Sequence, residues 1–71
     1  MNRADIAPRV LEALRLTAKG KTHKEVAQAM GISPWTARDY RQAAMRSLGS
    51  ATMEHAVAKA ARLGLLDGVE L

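Results

Sequence analysis

The chain has 71 residues and a mass of 7.7 kDa, with 11 Lys+Arg against 7 Asp+Glu, a formal charge of +4. That length holds one domain and not two, and without cysteine a disulfide frame, a thiolate zinc site and a cysteine nucleophile are excluded. No apolar run approaches the ~20 residues of a membrane span. Met1-Asn2-Arg3-Ala4-Asp5 lacks the apolar core of a signal peptide, so the expected location is cytoplasmic.

Alanine supplies 14 of the 34 apolar residues, leaving 20 larger ones, with one Trp, one Tyr and no Phe. A domain this small buries only about 60% of its unfolded surface. The core is therefore expected to be thin, and an enclosed active site is not expected.

The charge is unevenly placed. Residues 19–46 hold Lys19, Lys21, Lys24, Arg38, Arg41 and Arg46 against Glu25 and Asp39, six minus two, or +4. The segments on either side carry +1 and −1. A concentrated basic block fits either an anionic partner, of which nucleic acid is the commonest, or a solvated basic surface.

Four glycines, Gly20, Gly31, Gly49 and Gly64, each follow a segment with helical apolar spacing. Glycine is favoured just past a helix end, so the sequence predicts four short helices. Strands are not expected, because β-branched residues are few and no stretch alternates. The fold class read from this pattern is all-α.

The first helix is predicted from about Pro8 to Lys19, with Val10, Leu11, Leu14 and Ala18 as its apolar stripe. The second begins at a capping box, Thr22-His23-Lys24-Glu25, and turns Val26, Ala27 and Met30 inward before Gly31. The third opens on Ser33-Pro34, an N-cap followed by proline at the first helical position, and runs to about Leu48. Ala37, Tyr40, Ala44 and Leu48 share one side; Trp35, Arg38, Asp39, Gln42 and Arg46 share the other. The fourth follows Thr52, over about 53–63, with Met53, Ala56, Val57, Ala60 and Leu63 as its stripe and Ala58 and Ala61 widening it. The tail from Leu65 to Leu71 carries no helical signature.

Only Gly31-Ile32-Ser33 joins the second and third helices. A short helix, a tight turn and a longer helix make the helix-turn-helix pattern, here over about 22–48. Its second helix can enter the major groove while the first braces the backbone, and Ile32 would plug the angle between them. A plain helical hairpin has the same spacing.

The stretch Lys24-Glu25-Val26-Ala27-Gln28-Ala29-Met30-Gly31-Ile32-Ser33-Pro34-Trp35-Thr36-Ala37-Arg38 resembles the LuxR/GerE-type DNA-binding domain. The likeness extends upstream through Ile6-Ala7-Pro8-Arg9 and Glu12-Ala13-Leu14-Arg15-Leu16, and downstream through Arg46-Ser47-Leu48-Gly49 and Arg62-Leu63-Gly64-Leu65. It covers about residues 6–66. Sigma-factor region four shares the centre but not this fourth-helix ending. The resemblance implies a single four-helix domain over residues 1–71 that binds double-stranded DNA and regulates transcription. It implies that the third helix lies in the major groove and the fourth makes a homodimer contact. Members usually join this module to a sensor or receiver domain; here a solo module is expected, controlled by abundance, dimerisation or a partner.

Several positions depart from the family pattern. Ala7 replaces its usual Thr and Val10 its acidic residue. Arg41 stands where an aliphatic side chain is usually buried, and Ser50, Met53 and His55 replace its common Val, basic residue and Glu.

The residue expectations follow. Arg38 matches a position where the family directs Lys or Arg at DNA, and arginine can grip guanine O6 and N7 together. Gln42 can pair with adenine. Asp39 can accept from cytosine N4, or merely orient Arg38. Trp35 is either a contact to a thymine methyl or sugar, or the one large aromatic of an alanine-rich core. Lys24, Thr36 and Arg46 are the expected phosphate contacts. Met53, Ala56, Val57, Ala60 and Ala61 are the expected dimer interface. No cofactor or metal is expected, since His23 and His55 stand on different helices without clustered acids. An enzyme is not expected either: no nucleophile–base set is present, and Ser33, Ser47 and Ser50 suit caps and turns. The alternative function is a protein-interaction module, an anti-activator that pairs with a LuxR-type regulator and blocks it.

Overall fold

A computed structural model describes residues 6–67. The signal-peptide reading of Met1–Asp5 and the last four residues of the tail lie outside this range. Four helices follow in order: α1 (Pro8–Ala18), α2 (His23–Met30), α3 (Pro34–Leu48) and α4 (Met53–Arg62). Among the described residues there is no strand.

The helix starts are set by side-chain caps. At α2 the Thr22 hydroxyl accepts from the Glu25 backbone N–H at 3.2 Å, and the Glu25 carboxylate accepts from the Thr22 backbone N–H at 2.8 Å. The Ser33 hydroxyl accepts from the Thr36 N–H, and the Thr52 hydroxyl from the His55 N–H, both at 3.1 Å. At α1 the alanine at position 7 offers no side-chain cap, and Pro8 in the first turn opens the helix instead. Gly31 and Gly49 close α2 and α3 in the left-handed region, at φ 67° and 62°, which a Cβ would disfavour.

The core has two lobes. Val10, Leu14, Ala44, Leu48, Met53, Ala56, Ala60 and Leu66 join α1, α3, α4 and the tail. Ala13, Val26, Ala27, Met30 and Ala37 join α1, α2 and α3, with Leu16, Ile32 and Tyr40 packed against them. Tyr40 touches both lobes, and α3 packs against all three other helices. Ile32 thus fills the turn between α2 and α3, as its position suggested.

Alanine has a specific use here. Ala13, Ala37, Ala44, Ala56 and Ala60 are all 0% exposed. Small side chains let helix axes approach closely, so a chain poor in large apolar residues still closes its core. Two local expectations change as a result. Helix α1 is contacted on two sides, so Ala13 is fully buried, whereas Leu11 and Ala18 are only half-buried. In the tail, the turn at 63–67 folds Leu66 into the first lobe, at 5% exposure.

Long side chains tie the helices together. Arg9 donates to the Met30 carbonyl (2.8 Å), Arg15 to the Leu65 carbonyl (3.0 Å) and Lys59 to the Leu48 carbonyl (2.9 Å). The bonds to Met30 and Leu48 satisfy carbonyls that the ends of α2 and α3 leave without an intrahelical partner, and the bond to Leu65 ties α1 to the turn after α4.

Candidate nucleic-acid interface

Trp35, Arg38, Asp39, Gln42 and Arg46 are all exposed. Steps of three and four residues put them on one face of α3, opposite the buried Ala37, Ala44 and Leu48. Trp35 is the one large hydrophobic residue left exposed among the described residues, at 73%. Of the two readings of Trp35, the core one is therefore excluded. Its ring lies under Arg38, whose Cζ is 6.0 Å from the ring centroid, at the outer edge of cation–π range.

Helix α2 flanks this face. Lys24 is exposed and lines a shallow depression with Gln28, Ile32 and Pro34. His23, Pro34, Trp35 and Arg38 line a second one. Neither His23 nor Gln28 is among the residues that the sequence points toward DNA. Their signal was the capping box, which fixes the register of α2 and hence which side chains border the start of α3.

Thr36 is half-buried, and its hydroxyl accepts from the Ser33 hydroxyl at 3.1 Å. It still has a proton to donate. The Glu25 carboxyl is held below the usual carboxylate range by the Thr22 backbone N–H, then by the Thr22 hydroxyl, with the Lys21 charge adding to both.

Arg41 leaves the basic face. It is half-buried, its Nε has no hydrogen-bond partner, and Nη1 lies 3.3 Å from His23 Nδ1. With Thr17, Ala18, Met53, Glu54 and Val57 it lines an open cleft of about 420 Å³ between α1, α3 and α4. The exposed cations of residues 19–46 are thus Lys19, Lys21, Lys24, Arg38 and Arg46.

The expected dimer set divides. Met53, Ala56 and Ala60 point into the monomer core, at 9%, 0% and 0% exposure, so their side chains are not available to a second copy. The stripe they form is the one that packs α4 onto α3 and α1. Val57 is half-buried at the edge of that core, and Ala61 is exposed. No helix among the described residues is long and apolar enough to cross a membrane.

Residues 5–60 match the family described as bacterial regulatory proteins, luxR family. The quorum sensing-dependent HTH-type transcriptional regulator VjbR of Brucella ovis is 38% identical over 66 residues, covering 93% of this chain and 26% of that protein. The HTH-type transcriptional activator RamA of Corynebacterium glutamicum is 39% identical over 61 residues, 86% of this chain and 22% of its own length. The transcriptional activator protein CarR of Pectobacterium carotovorum is 37% identical over 60 residues, 84% of this chain and 25% of its own length. The chain thus spans about a quarter of the length of these curated relatives. With its four helices and its turn at Gly31-Ile32-Ser33, the chain belongs to the luxR family of bacterial regulatory proteins.

Proposed function

We propose that the chain is a sequence-specific DNA-binding regulator of transcription that lays α3 in the major groove and works as a homodimer in the cytoplasm. The observation that carries this reading is the exposed face of Trp35, Arg38, Asp39, Gln42 and Arg46 on the helix that packs against all three others. Arg38 reads guanine, Gln42 reads adenine, Asp39 accepts from cytosine N4 and Trp35 meets a thymine methyl. Lys24, Thr36 and Arg46 contact phosphates and set register and salt dependence.

The dimer contact rests on the outer edge of α4, at Val57 and Ala61. Ala61 is the better probe, because Val57 also packs against the monomer core. In sedimentation, Ala61→Glu should shift the mass toward monomer. An unchanged mass removes α4 from the interface.

The test of DNA recognition is binding to selected and random duplexes across a salt series, for the wild type and Arg38→Ala. A steep salt slope and a motif degraded by Arg38→Ala are expected. Asp39 favours a second reading, because a carboxylate on the reading face repels phosphates. In that reading the chain pairs with another luxR-family regulator and blocks it. No binding to DNA at low salt, beside a tight complex with such a partner, would overturn the regulator reading in favour of this one.

A further inference from the structure

We infer that Trp35 and Arg38 act as one reading unit, and that the site they read holds a guanine with a thymine in the neighbouring base pair. This inference rests on the reading of α3 as the groove helix and deepens it to a dinucleotide preference.

Four observations carry it. Trp35 is the only large apolar side chain the described surface exposes, at 73%. It stands in the first turn of α3, directly after Pro34, and in helix-turn-helix domains it is the N-terminal residues of the helix lying in the groove that contact base edges. Arg38 lies one turn on, with its guanidinium carbon over the indole ring at 6.0 Å. His23 and Pro34 border the same depression, so the indole is flanked on the protein side and open toward solvent.

The spacing matches the ligand. Three residues advance a helix by about 4.5 Å, close to the ~3.4 Å between stacked base pairs. Side chains at 35 and 38 therefore reach adjacent base pairs. The chemistry of each then selects the base. Arginine's planar fork pairs with guanine O6 and N7, and the apolar indole edge has one apolar partner in the major groove, the thymine C5-methyl. The indole also holds the guanidinium near its binding position, which lowers the ordering penalty of a long side chain. The two contacts are for this reason coupled rather than independent.

The experiment starts from duplexes selected by the wild-type protein. The selected half-site should contain guanine with a thymine in an adjacent base pair. Each thymine next to that guanine is then replaced by uracil, which deletes only the methyl group. At one position the wild type should lose about fourfold in affinity, the value of one buried methyl. Trp35→Ala should bind the thymine and uracil duplexes equally. Trp35→Ala and Arg38→Ala combined should lose less than the product of their separate losses. Because Trp35 is exposed, Trp35→Ala should keep its helical circular dichroism and its Tm, which separates lost reading from lost folding.

Uracil tolerated at every position by the wild type would overturn the inference. So would a uracil penalty that persists in Trp35→Ala, or strictly multiplicative losses in the double variant; each would leave the groove-helix reading standing. Binding with no selected motif at all would overturn both.

Discussion

Replacing Arg41 by leucine is expected to stabilise the domain. In the wild type the guanidinium Nε is buried without a partner, and an unpaired buried donor costs about 1–3 kcal/mol. Fixing an arginine side chain also costs about 1 kcal/mol more rotamer entropy than fixing a leucine. Against this stands the bond from Nη1 to His23 Nδ1 at 3.3 Å, a long contact contributing about 0.5–1.5 kcal/mol. The arginine methylenes and the leucine side chain cover similar apolar surface beside Met53 and Val57. The balance favours leucine by about 1–2 kcal/mol. In a domain of this size each kcal/mol moves Tm by about 4–8 °C, so Tm should rise by about 5–15 °C.

Thermal melts followed by far-UV circular dichroism measure this directly. A Tm that stays level or falls would refute the reasoning, since it would mean that Nε is satisfied or that the His23 contact outweighs its burial. The same variant tests the electrostatics. Arg41 is off the exposed face of α3, so Arg41→Leu should leave the salt slope of DNA binding unchanged. A slope reduced by about one unit would place Arg41 on a phosphate.

Three further outcomes follow from the caps and the core. Glu25 has its carboxyl pKa lowered by the Thr22 bonds, so it adds stability above the ordinary carboxylate range that is lost as pH falls through its lowered value; acid melts should show this loss in the wild type, and Glu25→Gln should flatten it. Gly31→Ala should cost about 1–2 kcal/mol in urea unfolding, because φ is +67° with open space around the added Cβ and the penalty is backbone strain alone; no change would mean that the turn relaxes. Leu66→Ala should cost about 2–5 kcal/mol, a large share of the ~4–11 kcal/mol expected for a chain of this length, and a melt like the wild type would remove the tail from the core.

Local chemistry explains which parts of this fold were legible in the sequence. The starts of α2, α3 and α4 are each written in one hydroxyl residue, Thr22, Ser33 and Thr52, and the ends of α2 and α3 in Gly31 and Gly49. The exposed face of α3 followed from spacing alone. Alanine was the obscure part. Ala13, Ala56 and Ala60 suit a core, a surface or an interface equally well by composition, and only the packing of α1 against α2 and α3, and of α4 in the first lobe, decides among them. That is why three of the five alanine-rich dimer positions, counting Met53 with them, proved to be monomer core. Leu66 was obscure for a related reason. Its partners Val10 and Leu14 are more than fifty residues away, and no local period signals such a contact.

The flanking helices account for how the groove face is held. Residues 22–48 carry the reading side chains, yet the donors that tie their helix ends come from outside. Arg9 on α1 closes the end of α2 at Met30, and Lys59 on α4 closes the end of α3 at Leu48. Both lobes of the core also depend on α1, which contributes Val10 and Leu14 to one and Ala13 to the other. An isolated pair of helices this short is marginal in water. The angle between α2 and α3 is therefore set by α1 and α4 as much as by the three-residue turn. The rigidity that base reading requires is a property of the four helices together, to which the thin alanine core and the ties from Arg9 and Lys59 both contribute.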